Sequence, residues 1–316
     1  MPKTLQENNA ARLAWLQRIK ANGIDASINE LLYYRSKTGL LNLEPRFANQ
    51  SKLAGNYLAK SKGRGMEFDE VRHYQHGDDP RMIDWRVTAR TGTTHTKLFR
   101  EEKERPIFIL TDLSSSMQFG TELLYKSVQA SHLAALLAWN AKKRGDRIGG
   151  IVFNQFQHME LKPRSRQQSV LHYLHALNAL SQPQTDLKTQ SNFAEACSRI
   201  RRLARPGALV NIISDFSQLD PVSIQHLSQL SRHCELRAYR IQDPLEIALP
   251  QVNAKQALQV TDGKNPGILS LGDKQTDMQY RHEAALYLAE QNKWLQKCRC
   301  QVQDISAGIP LEEQLA

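Results

Sequence analysis

The sequence predicts an α/β protein whose helices cover both faces of a doubly wound, mostly parallel β-sheet, as in Rossmann-like folds. From Pro106 onward, short apolar runs alternate with longer amphipathic stretches through the last two thirds of the chain. The run "IFIL" from Ile107 is apolar at every residue, which is typical of a strand buried on both faces. Strands connected by helices in this way form parallel sheets with right-handed crossovers.

The first third of the chain follows a different pattern. Apolar residues spaced for one helical face run from 9 to 34 with a break at Gly23, and a Gly- and Lys-rich connector follows. Alternating residues then predict short strands around 68–74, 83–87 and 96–99. We therefore predict a helical region over 1–54, a small β subdomain over 55–104 and the α/β domain over 105–316.

Within the α/β domain, each element is predicted from its own periodicity. The predicted helices cover 122–144, 165–180, 191–203, 223–233 and 277–297. The predicted strands are "IFIL", "DRIGGIVFN", "FQHMELKP", "GALVNIISDF", "CELRAYRIQDP" and "RCQVQDI". The stretch "LQVTDGKNPGILSLG" predicts a hairpin insertion near 255–272, because Asp262 and Gly263 are typical turn residues.

Composition limits the classes of function. With 41% hydrophobic and 23% charged residues the chain is typical of a globular protein, and no apolar run reaches the roughly 20 residues that span a bilayer. The N-terminus lacks the apolar core of a signal peptide, so we expect a cytoplasmic protein.

The formal charge is +10, but the Lys and Arg clusters fall at predicted helix ends, where cations complement the helix dipole. We therefore expect no nucleic-acid partner, and the four scattered cysteines do not form a zinc or redox motif.

Small oxygen-bearing side chains follow two of the predicted strands. Asp112, Ser114 and Ser116 come after "IFILT", Asp215 comes after "NIIS", and Ser191 begins the helix before that strand. Ligands of open α/β sheets bind at the carboxyl ends of strands. Carboxylate and hydroxyl oxygens suit a hard cation such as Mg²⁺ or Mn²⁺. The alternative, in which these residues cap the next helix, explains one of them but not the whole set.

Two sets of motifs resemble known families. "DLSSSM", "SNFAEA" and "ISDF" resemble the three loops of the metal-ion-dependent adhesion site (MIDAS) of von Willebrand factor A domains. "GRGMEFDEVRHYQHGDDPRMIDWRVTARTG" and "HTKLFREEKERP" closely resemble the hallmark of the bacterial family known as domain of unknown function 58, DUF58. The resemblance implies an A-type fold and the ligands Asp112, Ser114, Ser116 and Asp215. Ser191 stands where that site commonly has threonine, with Thr189 as the alternative hydroxyl.

The resemblance also implies a function. In such sites the hydroxyls contact the ion, the acids hold its waters, and an open position attracts a Glu or Asp of a partner. We expect a non-enzymatic, Mg²⁺-dependent protein-binding adaptor that works with a MoxR-type AAA+ ATPase in chaperone-like or complex-assembly roles. No His or Lys in the three loops offers a general base, and we interpret His132 as a satisfied packing residue. The alternatives are a metal-dependent phosphoesterase acting on nucleic acid and a structural scaffold whose site is empty.

Two further expectations concern exposure and packing. We expect the strand-end loops to face solvent, so that Asp112 and Ser114 carry function more than stability. The acid-rich stretch "HGDDPRMIDWR", residues 76–86, is predicted to be a structural clasp rather than a second metal site, because arginines are interleaved with its acids. In this clasp Asp79 forms a turn, and Trp85 is the expected buried anchor.

Overall fold

The computed structural model describes residues 5–41, 43, 66–101, 105–165, 167–182, 192–250, 252, 256–261 and 266–315. The chain forms two compact units, one made of Met1–Leu43 with Arg105–Ala316 and the other of Glu44–Glu104. The N-terminal helices are thus grouped with the α/β unit, whereas the sequence boundaries placed them in a region of their own.

Helices and strands make up most of the described chain. The helices are α1 (Leu5–Ile19), α2 (Ile28–Tyr33), α3 (Trp85–Thr91), α4 (Lys126–Lys143), α5 (Gln167–Ser181), α6 (Phe193–Leu203), α7 (Pro221–Leu230), α8 (Pro244–Ile247), α9 (Lys274–Lys297) and α10 (Leu311–Leu315). The strands are β1 (Met66–His73), β2 (His95–Glu101), β3 (Pro106–Asp112), β4 (Arg147–Phe153), β5 (His158–Arg164), β6 (Leu209–Ser214), β7 (Glu235–Gln242), β8 (Gln256–Thr261), β9 (Pro266–Leu271) and β10 (Gln301–Ser306).

A six-stranded sheet forms the centre of the larger unit, in the order β10-β7-β6-β3-β4-β5. All neighbouring pairs are parallel except β4 and β5, so the predicted mostly parallel α/β sheet is confirmed. From β3 the chain builds first outward through β4 and β5, and then returns to add β6, β7 and β10 on the other side. The strand order therefore reverses between β3 and β6, and this is the point at which such sheets bind ligands.

Both faces of the inner strands β3, β4, β6 and β7 are buried, which explains the apolar runs. Along β3, Ile107 and Ile109 belong to a core cluster with α4 and α5, whereas Phe108 and Leu110 belong to a second cluster with α6, α7 and α9. The alternation follows from the two-residue period of a strand. Burial of each of these side chains contributes about 1.5–3 kcal/mol.

The N-terminal segment covers the outer side of α4. Every residue of that helix from Lys126 to Ala141 is buried, and such a helix needs neighbours on all sides. The indole Nε1 of Trp139 donates to the Leu31 carbonyl at 3.3 Å, and the Asn140 amide donates to the Thr38 and Leu41 carbonyls, each at 2.7 Å. These contacts, made across the α/β boundary expected from sequence, explain why the N-terminal helices belong to the larger unit. The helical pattern expected over 9–34 forms two helices, α1 and α2, and the predicted break at Gly23 lies between them.

The smaller unit contains the antiparallel pair β1 and β2 with α3. Its acids are held as the clasp interpretation predicts: Asp78 lies 2.7 Å from the Arg72 guanidinium, and Asp79 accepts the Arg81 N–H at 3.0 Å. Asp84 is the N-cap of α3. The hydrogen bond from the Gln75 backbone, together with Arg72, lowers the pKa of Asp78, which agrees with a carboxylate already engaged within the clasp.

Two predictions for this unit were wrong. The stretch 83–87, expected to be a strand, contains the start of α3, because Asp84 accepts the backbone N–H groups of Arg86 and Val87 and so begins a helix. Trp85, the expected buried anchor, is the first residue of that helix and is 69% exposed. Helical geometry changes the direction of its side chain from the one that strand alternation had implied.

Candidate functional site

The candidate site lies where the strand order reverses. Asp112 is the last residue of β3, and Asp215 follows the last residue of the neighbouring strand β6. Ser114 and Ser116 lie in the loop after Asp112 and are joined by contacts to the loop after β6. The structure therefore brings together four of the five residues predicted from sequence. Ser191 and its alternative, Thr189, lie outside the described residues.

Each acid organises its own loop. Asp112 Oδ1 accepts the Ser114 backbone N–H at 2.9 Å, and Asp215 Oδ1 accepts the Ser217 backbone N–H at 2.9 Å. Aspartate commonly forms this turn with the N–H two residues onward. The Ser114 side chain makes no cap hydrogen bond, and the next α-helix begins only at Lys126. The capping alternative is therefore not supported for Ser114.

Hydroxyl and amide groups connect the two loops. The Ser217 hydroxyl donates to the Ser116 hydroxyl at 3.1 Å, and the Gln218 amide donates to the Ser114 hydroxyl at 3.3 Å. Ser114 and Ser116 lie 3.4 Å apart through their Oγ atoms. Several oxygens of the two loops therefore belong to one connected network at the sheet edge.

The backbone of the second loop is strained. Phe216 has φ 56°, in the left-handed region, which costs a non-glycine residue on the order of 1–2 kcal/mol. Its ring is buried and lies edge-on to Phe193 with centroids 5.9 Å apart, so packing holds the unfavourable conformation. The Phe216 N–H donates to the Ser214 hydroxyl at 3.0 Å. Strain of this kind concentrates at functional loops.

Burial and mutual repulsion change the pKa values of the two aspartates. Burial, together with the negative charge of Asp215, raises the pKa of Asp112 to about 6, although the Ser214 hydroxyl donates to Asp112 Oδ2 at 2.6 Å. Burial also raises the pKa of Asp215, but the Lys126 ammonium and the hydrogen bonds from Ser217 together outweigh that effect and lower the pKa below its ordinary value. Asp112 is 1% exposed and Ser114 is 1% exposed. The expectation that these two side chains face solvent was therefore wrong, because β6 and its loop cover them.

Lys126 is a component of the site that the sequence did not reveal. Its ammonium lies 2.9 Å from Asp215 Oδ2 and 2.5 Å from Glu246 Oε1, and the residue is 1% exposed. Burial lowers the pKa of Lys126, but Asp215 and Glu246 together raise it above its ordinary value. The side chain is thus a fixed cation and not a general base. Its sequence signal was its place as the first residue of α4, a helix with many apolar residues.

The donor set fits a hard cation. Among the residues that the structure describes, no three carboxylate, imidazole or thiol side chains converge on one point, so hydroxyl oxygens would be essential to the coordination. Asp112, Ser114, Ser116 and Asp215 supply oxygens only, and such ligands select Mg²⁺ or Mn²⁺. An ion between the loops would also relieve the repulsion that raises the pKa of Asp112.

A cavity of about 240 Å³ adjoins the second loop. Asp215, Ser217 and Glu246 line one side, and Tyr280 and Tyr287 of α9 line another. Arg240 also lines it, but its guanidinium is held by Asp304 at 2.8 Å and by the side-chain oxygen of Gln291 at 3.2 Å. The cavity therefore offers aromatic surface beside the acid and hydroxyl groups of the site, and suits an apolar or aromatic group.

His132 and the cysteines lie away from this chemistry. His132 is fully buried between the rings of Trp15 and Tyr34, as expected of a packing residue. Its ring nitrogens lack a hydrogen-bond partner in the described part of the chain, where Glu30 Oε2 is 3.6 Å away, so the expectation of a satisfied side chain was wrong. All four cysteines are buried and free.

Uncharacterised mycobacterial proteins are similar to this chain in sequence. One from Mycobacterium bovis and two from strains of Mycobacterium tuberculosis are each 31% identical to it over 201 residues, which cover 63% of this chain and 62% of each relative. The chain thus spans less than two thirds of the length of these curated relatives.

Solved structures align with parts of the fold. A conserved hypothetical protein, BatB, from Bacteroides thetaiotaomicron aligns with TM-score 0.42 and 14% identity over 64% of this chain and 90% of its own. An aerotolerance-related membrane protein from Bacteroides fragilis aligns with TM-score 0.38 and 15% identity over 62% and 98%. An uncharacterised membrane-spanning protein from Vibrio fischeri aligns with TM-score 0.24 and 14% identity over 67% and 94%.

These alignments correct one expectation. Two of the three solved proteins are described as membrane proteins, which contradicts the cytoplasmic location expected from the sequence. That expectation is withdrawn. In the described parts of the chain, no helix is both long enough and apolar enough to cross a bilayer.

The family is shown by a model that covers most of the chain. The model described as protein of unknown function DUF58 matches residues 70–292, which include the smaller unit's clasp, both strand-end loops and most of α9. The chain therefore belongs to the DUF58 family.

Proposed function

We propose that the loops after β3 and β6 bind a divalent cation, Mg²⁺ or Mn²⁺, and through it an acidic group of a protein partner. The observation that carries the proposal is the meeting of Asp112, Ser114, Ser116 and Asp215 at the point where the strand order reverses. Mg²⁺ keeps several waters unless its surroundings supply ligands. A carboxylate from a partner would replace one of these waters.

The side chains of the site favour binding over catalysis. Lys126 is held as an ammonium between two carboxylates, so it does not accept a proton at neutral pH. The hydroxyls of Ser114 and Ser116 contact other hydroxyl and amide groups. Among the residues that the structure describes, they make no hydrogen bond to an imidazole or amine that would activate a nucleophile. The protein is accordingly proposed to be a non-enzymatic adaptor.

The proposal extends to the type of fold and to the identity of the protein partner. The strand order and the two acid-bearing loops support an A-type domain of the von Willebrand factor class with a MIDAS-like site. The motif resemblance implies a MoxR-type AAA+ ATPase as the partner, with the adaptor acting in chaperone-like or complex-assembly work. The cavity beside Asp215 supports a partner segment in which an apolar or aromatic residue lies next to the acidic one.

Ion binding is tested first on the purified chain. Mn²⁺ titration followed by electron paramagnetic resonance should show one bound ion, which is lost in Asp112→Asn and weakened in Ser114→Ala. Asp146→Asn is the matched control: this buried acid accepts the Arg105 N–H at 2.9 Å and lies before β4, away from the loops. Loss of the ion in the control, or its retention in Asp112→Asn, would count against the site.

Partner binding is tested second. Recovery of a MoxR-type ATPase from the same genome on immobilised adaptor should fall when EDTA is added, since linkage requires that ion and partner strengthen each other's binding. Equal recovery with and without EDTA would reject a contact made through the ion.

A further inference from the structure

A second cavity lies at the opposite end of the central sheet from the candidate metal site. Its volume is about 390 Å³, and basic and polar side chains dominate its lining: Arg147, Arg164, Ser165, Gln168, Ser169 and His172. Arg147 begins β4, whereas Asp112 ends the parallel neighbouring strand β3. The two sites are therefore separated by the length of a strand.

Strand register explains why two arginines meet here. β4 and β5 are antiparallel, and Arg164 pairs with Ile148, the residue after Arg147. A bulge interrupts the register between Ile148 and Gly150, and bulges redirect side chains at sheet edges. Gly149 is required in this bulge, because a Cβ there would lie 2.7 Å from the Leu161 carbonyl oxygen.

The N-terminus of α5, the helix after β5, adds the positive end of a helix dipole to the cavity. Gln168 and Ser169 lie in the first turn of α5, where backbone N–H groups lack partners within the helix and the dipole favours an anion. No acidic residue lies in that turn to neutralise it. Asp146, the acid next to Arg147 in sequence, is held by the Arg144 guanidinium at 3.2 Å.

One buried side chain points to a ligand independently of the helix end. Ser169 is only 8% exposed and lines the cavity, and its hydroxyl has no hydrogen-bond partner among the described residues. Arg164 is exposed at the cavity wall and likewise makes no ion pair with any described acid. The hydroxyl of a nine-tenths buried residue and an unpaired guanidinium that line the same cavity are suited to an oxyanion that accepts from both.

We propose that this cavity binds a phosphate-type oxyanion, free or carried as a phosphomonoester, through Arg164, Ser169 and the first turn of α5. Tetrahedral phosphate offers acceptor oxygens in several directions, which matches donors from a strand end and from a helix. Charge-assisted hydrogen bonds of guanidinium to phosphate are among the strongest that side chains make. The formal charge of +10 favours the approach of such a ligand.

Calorimetric titration of the full chain with inorganic phosphate, in EDTA, tests the site. We expect one phosphate per chain, with affinity about tenfold weaker in Arg164→Gln and about fivefold weaker in Ser169→Ala, in line with charged and neutral hydrogen bonds. Arg202→Gln is the matched control, because it removes the same charge from an exposed position on α6 that lines no part of the cavity. Absence of binding heat, or an equal loss in the control, would overturn the proposal.

A vesicle assay separates the two sources of the ligand. Co-sedimentation with vesicles of phosphatidic acid in phosphatidylcholine, reversed by inorganic phosphate and absent in Arg164→Gln, would identify a lipid phosphomonoester at this site. Phosphate binding without vesicle binding would assign the site to soluble phosphates. Vesicle binding that persists in Arg164→Gln and in excess phosphate, with no calorimetric signal, would show general surface charge and reject the site. Since EDTA is present throughout, failure of the metal site leaves this result unaffected.

Discussion

Replacing Asp112 by asparagine should stabilise the metal-free protein near neutral pH while it abolishes ion binding. The pKa of Asp112 is raised from 3.8 to about 6 by burial and by Asp215, so the folded state holds this proton more tightly than the unfolded state does. The protonated Asp112 side chain therefore contributes stability that is complete below about pH 4 and is lost as the pH rises through about 6. Above that range the ionised carboxylate destabilises the fold, and the gap between the two pKa values corresponds to about 3 kcal/mol.

The uncharged asparagine side chain removes most, but not all, of the destabilisation that the ionised carboxylate causes. Asparagine keeps the shape of the side chain and can still accept the Ser114 N–H through its oxygen. Its amino group must donate to the Ser214 hydroxyl, which already accepts the Phe216 N–H, so one hydrogen bond worth about 1 kcal/mol is disturbed. We therefore expect a net gain of about 2 kcal/mol in the free energy of unfolding near pH 7.

Urea denaturation of both proteins in EDTA, near pH 4 and near pH 7, measures this difference. The two unfolding free energies should approach each other at the lower pH and separate at the higher one. Addition of Mg²⁺ should stabilise the wild type by mass action and leave Asp112→Asn unchanged. If Asp112→Asn is less stable than the wild type in EDTA near neutral pH, the buried carboxylate is a net stabilising group and the electrostatic reasoning is wrong.

Three other substitutions separate the roles assigned to the remaining charged and aromatic residues. Lys126→Met should lower the free energy of unfolding by about 3–5 kcal/mol in urea denaturation, because it leaves the buried Asp215 carboxylate without its ammonium; a neutral result would show that Asp215 is satisfied by its loop. Asp78→Asn should leave the calorimetric Mg²⁺ stoichiometry unchanged, since Arg72 already holds that carboxylate, and a lost ion would place metal chemistry in the clasp. Trp85→Ala should change the unfolding free energy by only about 0.5 kcal/mol, because the ring is 69% exposed; a loss of several kcal/mol in guanidinium denaturation would mean that the ring is covered in solution.

Several features of the site could be predicted because they depend on local sequence. Asp112, Ser114 and Ser116 follow an apolar run that is typical of a buried strand, and parallel strands of a sheet place the loops at their carboxyl ends at the same edge. The sequence predicted that Asp112 and Asp215 lie at the same edge of the sheet, and the strand order β6-β3 places their two strands side by side. The clasp acids Asp78 and Asp79 were likewise predictable, since their partners lie within six residues.

Other features were decided by contacts between distant parts of the chain. Lys126 meets Asp215 across 89 positions, and its place in an apolar helix gave no sign that its ammonium would enter the site. Trp85 was misplaced because a single cap, Asp84, converts an apparent strand alternation into a helix. The basic cavity depends on a bulge that brings Arg164 beside Arg147. Local periodicity determines which residues form strands and which face of each strand is apolar. The partners of a long polar side chain are different, because they lie on segments that are distant in sequence and meet only when the chain between them closes into a loop.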